Sequence, residues 1–361
     1  MTTKSIIFKG TISSNGIVNF DGKDAKWLLK KAKSDFRNQL SHDNVKVAKH
    51  AYVCEGTDKD GNPIYKAVLK ISKDCLRNGI FKNDQPFHNP GIVHAPKVLI
   101  NLLASVAGLL RGYMFADDGI KRKSPVYISD AVQVSNNVST FDIGTQDSPK
   151  ETKVDAEAEA GLTMHFKESI GGVVSYEFQG SIDISELQFI SLSQVYDRLA
   201  VDPNYLEVYT QALATTLGSK VSAKAFYIKT TASNGLPEEG LLLTPEQIKK
   251  LVVDFFARLL DLEIIRGANG RAWLSSLEIV PKQSGLDFNK NGFVIKTASD
   301  VLNAIGEPHM FYTEYNQAEA LKLYEDIDVG KKNLAGNKSA VKAAKKEAKE
   351  KATQKANMPT E

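Results

Sequence analysis

The sequence predicts an α+β fold, an open antiparallel sheet covered by helices on one face. Three observations carry this. The order of signals is mixed rather than a strict alternation: β, a long gap, α, β, an insertion, β, α, β, α, β. Two segments carry broad apolar stripes at helical spacing, and each needs a surface to cover. Alternating, turn-bounded strands supply that surface and leave its second face free to bind something. A chain of 361 residues can bury a sizeable core.

KSIIFKGTISS (Lys4–Ser14) reads as the first strand, closed by a turn at Ser14–Gly16, and Lys26–Leu40 as a short helix. Within Tyr52–Lys73, the turn signal KDGNP (Lys59–Pro63) separates two strand-like runs and predicts a hairpin. The proline-rich loop Asn83–Pro96 feeds a helix over Pro96–Phe115, where Val98, Leu99, Leu102, Leu103, Val106, Leu109 and Leu110 make one apolar face. Val134–Gly161 is polar and too long for a structureless loop, so it predicts an extended hairpin projecting from the core. Strand signal returns in Gly171–Ile184, followed by a helix near Val195–Thr216 and a strand at Ser222–Thr231. In TPEQIKKLVVDFFARLL, Thr244 caps, Pro245 sits first inside and Gln247 completes a capping-box pattern. Ile248, Leu251, Val252, Phe255, Phe256 and Leu259 give that helix its core face. The glycine-rich RGANGRAW (Arg266–Trp273) runs into a last strand, LSSLEIVP.

The net charge of +3 hides an asymmetry. Of 46 Lys and Arg and 43 Asp and Glu, nine Lys and three Glu lie in 331–361, which leaves 37 basic and 40 acidic groups elsewhere. That Ala/Lys-rich segment is almost without large apolar residues, so it reads as disordered or as a solvated helix outside the single domain 1–330. Because the rest is net negative, any polyanion contact there must come from local clusters. No apolar run is long enough to span a bilayer. MTTKSIIFKG lacks the features of a signal peptide, and Cys54 and Cys75 make neither a disulfide framework nor a zinc site. These features point to the reducing cytoplasm, with no membrane partner.

Catalytic signals are thin. The six His form no HxxxH or HxH pair, and there is no GxSxG elbow or GxxxxGK[ST] phosphate loop. No catalytic residue, metal site or cofactor is assigned. Asp21 in SNGIVNFDG is the single candidate for activating a hydroxyl, and a turn-forming Asp before Gly22 explains it better.

Four local clusters could together hold a phosphodiester chain. In GIKRKSPVYISDA, Lys121, Arg122, Lys123 and Ser124 offer a fork, two point charges and a hydroxyl, or else form a solvated basic loop. Ser13, Ser14 and Asn15 are small polar groups at a strand end, or simply a turn. Lys97, Ser105 and Arg111 lie on the predicted long helix, where Lys97 opposes the macrodipole unless an anion is bound and Arg111 could instead snorkel at the helix end. Arg266, Asn269, Gly270 and Arg271 precede Trp273, whose ring could stack a base or pack inside a tight hairpin. Taken together they suggest a sequence-independent grip on a single-stranded backbone.

The order of IIFKGTISSNG, LLASVAGLLRG, KRKSPVYISDA and GANGRAW resembles the backbone subunit of CRISPR effector complexes, within the RAMP superfamily. SVAGLLRG is similar to that superfamily's small-residue, Gly, Leu-Arg helix signature, and SPVYISDA and GGVVSYEFQGSIDISELQFISL also look like this family. The resemblance covers roughly residues 4–281, with the type IV (plasmid-associated) version ranked first and the type I-F variant second. It implies a ferredoxin-like (RRM-like) palm with inserted fingers at about 45–95 and a β-hairpin thumb at about 132–166. It also implies the partners: guide RNA (crRNA), neighbouring copies stacked head to tail in a helical filament, other effector subunits, and target DNA or RNA reached through the guide. Protein reads backbone while base pairing reads sequence. By the same resemblance, each thumb would fold over the RNA and displace one base in every six. By analogy with type III relatives, the alternative is a metal-dependent RNase cutting target RNA through Asp21.

Overall fold

Alternation in the first strand decides what it buries. In Thr2–Asn15, Ile6, Phe8 and Ile12 face the core while Lys9, Thr11 and Ser13 line the opposite face. The computed structural model of the chain describes residues 2–21, 45–82, 96–115, 119–147, 162–193, 198–222, 225–227, 238–266, 270–283, 292–312, 314, 318, 319 and 322. The helix expected at Lys26–Leu40, most of the loop before Pro96 and segment 331–361 lie outside the described residues.

The main sheet runs in the order Glu263–Arg266, Gly270–Gln283, Thr2–Asn15, Val173–Asp183, Ala131–Gln133, Pro63–Ile71, His50–Thr57. Its pairings along that path are antiparallel. The helix Pro245–Leu260 covers the inner face, and all six of its expected core residues are buried. Phe8 meets Phe255 and Phe256 with ring centroids 5.4 and 5.5 Å away. Thr244 and Gln247 form the capping box: the Gln247 amide donates to Thr244 Oγ1 at 3.3 Å, and Thr244 N–H donates to Gln247 Oε1 at 2.9 Å. The uncovered face carries a shallow cleft of about 590 Å³ edged by Lys9, Lys73, Asp130 and Glu177, whose opposed charges give it no preference for anions. No helix among the described residues is long and apolar enough to cross a membrane.

Three expectations change. The helix expected over Pro96–Phe115 is two helices, Pro96–Leu103 and Val106–Arg111, followed by a short strand, Tyr113–Phe115. Ser105 is extended and its Oγ accepts from Gly108 N–H at 3.1 Å, so a new helix starts there although the apolar spacing continues across the break. The helix near Val195–Thr216 is a 3₁₀ turn, Pro203–Tyr205, leading into Leu206–Leu217. Beyond the last expected strand, Ala298–Ile305 forms a further helix, and Glu307–Pro308 pairs parallel with Thr2–Thr3. Gly108 packs against the preceding helix so tightly that a Cβ would stand 2.4 Å from Leu103 O and 2.6 Å from Leu102 O. Gly108→Ala should therefore destabilise the chain by about 2–3 kcal/mol, read as a lowered denaturation midpoint at unchanged m-value.

Two hairpins stand out from the sheet. His50–Thr57 and Pro63–Ile71 pair around an ordered turn in which Asp58 Oδ1 accepts from the amides of Asp60 (2.9 Å) and Asn62 (2.8 Å). Ser139–Asp147, inside the polar stretch expected to project, pairs antiparallel with Leu162–Ile170, which follows that stretch, from Ser139 opposite Ile170 to Asp147 opposite Leu162. Glu168, fully buried, joins the two bases. Its carboxylate accepts from Ala48 N–H (2.8 Å) and Ser139 Oγ (2.6 Å) and pairs with His50 Nε2 (3.0 Å). Burial, the largest influence, raises this carboxyl's pKa, but the bonds from His50, Ser139 and Ala48 together hold it below the ordinary glutamate value. A depressed carboxylate stabilises the fold above its unfolded value, and that contribution is lost as pH falls through the folded one. Glu168→Gln should lower the melting temperature at neutral pH, by about 1–3 kcal/mol of stability, and flatten its fall below about pH 4 relative to the wild type.

Candidate nucleic-acid interface

Strand alternation splits the KRK triplet. Ile120–Arg122 pairs with Tyr113–Phe115, and the period of two sends Ile120 and Arg122 inward and Lys121 outward. Arg122 is 7% exposed. Its Nε donates to Leu109 O (3.2 Å), Nη1 to Phe189 O (3.2 Å) and Nη2 to Glu186 O (3.1 Å). It thus ties together the ends of two helices, Val106–Arg111 and Ile184–Gln188, and the strand start at Phe189. Arg122, expected as a phosphate ligand, is found as an internal pin: three of its N–H groups are committed to carbonyls, and only the edge of the guanidinium borders the cleft. Ser124 is likewise turned inward: its Oγ lies 2.7 Å from Val126 O and 3.1 Å from Leu110 O. Gly112 (φ 69°) makes this packing possible, since a Cβ there would stand 2.5 Å from Arg122 O.

Lys121 and Lys123 keep their outward positions. They line a cleft of about 330 Å³ with Arg198, Tyr113, Glu186 and Tyr312. Lys123 Nζ lies 2.7 Å from Glu186 Oε1, yet its side chain remains 68% exposed. Lys121 N–H donates to Leu199 O (2.8 Å), which seats the exposed Arg198 at the same opening. Burial pushes the Tyr113 hydroxyl well above the usual tyrosine range, so it stays neutral and donates to Ala200 O at 2.8 Å. The result is a cationic opening with aromatic walls, able to take a phosphate beside a planar ring. Sequence reasoning misses Arg198, Tyr113 and Tyr312. They are remote in the chain, and no local spacing marks them.

Of the long-helix cluster, Ser105 is corrected from ligand to helix cap, with its hydroxyl also 2.7 Å from Leu102 O. Arg111 Nη2 donates to Asn78 Oδ1 (3.2 Å) while Arg77 Nη2 donates to Arg111 O (2.6 Å). Burial first, then the charge of Arg77, lowers the Arg111 pKa. The side chain of Lys97 lies outside the described residues.

The Ser13–Asn15 and Arg266–Arg271 clusters meet at one end of the sheet, where Asn15 pairs in register with Arg271 and Ser13 with Trp273. Ser13 Oγ bonds Ser275 Oγ (3.1 Å), and the buried Ser14 donates to Gly16 O (3.1 Å), which makes Ser14 a turn residue rather than a ligand. Arg271 is held across the strand by Glu263 (Nε to Oε1 2.6 Å). Arg266 is exposed on the neighbouring strand and reaches the Cys75 thiol, whose pKa burial raises against the opposing charge of Arg266. Asn269 lies outside the described residues. Sheet register thus joins the Ser13–Asn15 and Arg266–Arg271 clusters, while Lys121 and Lys123 line the cleft. Asp21 pairs through its backbone with Val47, and among the described residues no three His, Cys, Asp or Glu side chains gather as a metal-binding group.

No curated protein matches the chain. Solved structures with a similar chain include a CRISPR RNA-guided surveillance complex, at 9% identity and TM-score 0.34 over 91% of this chain and 84% of that one. A pre-nicking surveillance complex matches at 9% and 0.35 over 83% and 85%. A type III-B Cmr-beta complex bound to cognate target RNA matches at 11% and 0.27 over 50% and 47%. A family model described as type I-Fv CRISPR-associated protein Cas7fv-like matches residues 2–319. This is the type I-F variant, which the sequence resemblance ranked second behind type IV. The chain belongs to the Cas7fv-like family.

Proposed function

We propose that this chain is a non-catalytic crRNA-binding backbone subunit of a CRISPR effector complex. Copies stack head to tail as a helical filament along the guide, which is left able to pair with target nucleic acid. The observation that carries the reading is membership of the Cas7fv-like family over residues 2–319. The cleft supports it, because a body that is net negative outside 331–361 gathers Lys121, Lys123 and Arg198 at one aromatic-walled opening. In this reading the Thr2–Asn15, Val173–Asp183 and Gly270–Gln283 strands with the Pro245–Leu260 helix are the centre of an RRM-like palm. The His50–Ile71 hairpin belongs to the fingers and the Ser139–Ile170 hairpin to the thumb. Backbone grip falls to Lys121, Lys123 and Arg198, with Ser13, Asn15, Arg266 and Arg271 as a second contact and Lys97, Arg111 and Asn269 as flanking candidates.

The chain expressed with a guide RNA should co-purify with it, and sequencing the bound nucleic acid should return spacer sequence protected in steps of about six nucleotides per copy. Recovery of nucleic-acid-free monomer at low salt overturns the proposal. Complementary RNA added with magnesium to the loaded complex should stay intact; cleavage abolished by Asp21→Ala would establish the RNase alternative instead.

A further inference from the structure

One wall of the cleft is set by a side chain and not by the sheet. Glu307–Pro308 pairs parallel with Thr2–Thr3, and His309 N–H donates to Thr3 O at 2.8 Å, but residues 309–312 lie outside any strand. Gln188 takes over from the ladder there. It is fully buried at the end of the Ile184–Gln188 helix, and its own carbonyl accepts from Leu243 N–H (2.8 Å). Its Oε1 accepts from Phe311 N–H (2.8 Å) and Tyr312 N–H (3.1 Å), and its Nε2 donates to Tyr312 O (2.9 Å). One amide thus satisfies both backbone groups of Tyr312 and fixes the chain that carries them.

The ring is anchored as well. It packs against Phe189 with centroids 5.4 Å apart, and Ser185 bonds its hydroxyl, whose pKa burial raises. The half-buried ring also lines the cleft of about 330 Å³ that Lys121, Lys123 and Arg198 share. Tyr113, on the same lining, is seated differently, by strand pairing opposite Arg122, and its hydroxyl goes to Ala200 O. A neutral aromatic surface beside exposed cations divides the work of holding a nucleotide: the ring meets the face of a base while the cations meet its phosphate.

We propose that Tyr312 is a base-stacking residue of the cleft and Gln188 its positioning residue, so that single-stranded nucleic acid is gripped by its bases as well as by its phosphates. The proposal rests on the RNA-binding reading above. Every base has a π-face, so the stack adds affinity without reading sequence.

The test compares two probes of equal length and charge: an oligouridine of about ten nucleotides and the abasic ribose-phosphate chain that matches it. The wild type should bind the oligouridine about ten-fold more tightly than the abasic chain near 0.1 M salt. Tyr312→Phe should keep that ratio. Tyr312→Leu and Gln188→Met should each lower it about five-fold, with the slope of log K against log salt unchanged because no phosphate contact is lost. Loss of fold weakens both probes together, so the ratio reports stacking and not stability. Gln188→Asn, one methylene shorter, gives the same readout should Gln188→Met fail to fold. A wild-type ratio in Tyr312→Leu overturns the stacking role, and a wild-type ratio in the folded Gln188 variant overturns the positioning role. Equal binding of the two probes by the wild type overturns both and leaves the cleft's grip on phosphate standing. Binding of neither probe overturns the RNA-binding reading as well.

Discussion

Arg122→Ala is expected to destabilise the protein by about 3–5 kcal/mol, although the residue belongs to a triplet that composition alone would place in solvent. The substitution removes three charge-assisted bonds at once and leaves the carbonyls of Leu109, Glu186 and Phe189 to find new donors in a dry interior. It also opens a void where the guanidinium stood beside the half-buried Tyr113 and the buried Tyr209, whose hydroxyls feel its charge. Arg122→Lys should not rescue it, because an ammonium cannot reproduce a planar fork aimed at three carbonyls. Chemical denaturation of both variants checks this: a midpoint within experimental error of the wild type in either would show that the pin is dispensable.

Lys121→Glu, Lys123→Glu and Arg198→Glu combined should leave the melting temperature nearly unchanged while lowering RNA affinity about 100-fold or more near 0.1 M salt. The stability half follows from exposure. The Lys123–Glu186 pair sits with the lysine side chain 68% in solvent, where ion pairs contribute little. The affinity half follows from charge: losing three phosphate contacts should flatten the salt dependence by about 2 units, and three new carboxylates repel the strand besides. Binding isotherms at several salt concentrations, paired with thermal melts, separate the two variant sets. Arg122→Ala should fail by unfolding and the triple reversal by losing its ligand. Unchanged affinity with a folded triple variant would remove the cleft from the interface.

Much of the architecture is readable in one dimension, because short-range chemistry writes it there. The TPEQ start of Pro245–Leu260 satisfies its own first amides, its apolar period matches the helix turn, and every residue assigned to the core face is buried. The KDGNP turn closes a hairpin through local Asx bonding, again within a few residues. The helix break at Ser105 is hidden because the apolar stripe runs through it, and a lone serine cap is a weak signal beside seven aliphatic positions.

The interface is only half readable, and the KRK triplet shows why. Composition announces a local cation cluster in a net-negative body, but the number of those cations that face water depends on strand phase. Once Ile120 is buried, alternation must bury Arg122 and turn its two neighbours outward. Arg198 and Tyr312 reach the same cleft from remote positions, and the clusters at Ser13–Asn15 and Arg266–Arg271 meet through sheet register. The charge asymmetry, the helix caps, the hairpin turn and the alternating strands are all set by interactions within a few residues, and the linear chain suffices to reveal them. Which cations are pins and which are open to a ligand is settled by packing in three dimensions. Desolvation and carbonyls contributed from distant segments make that distinction, and neither is encoded locally.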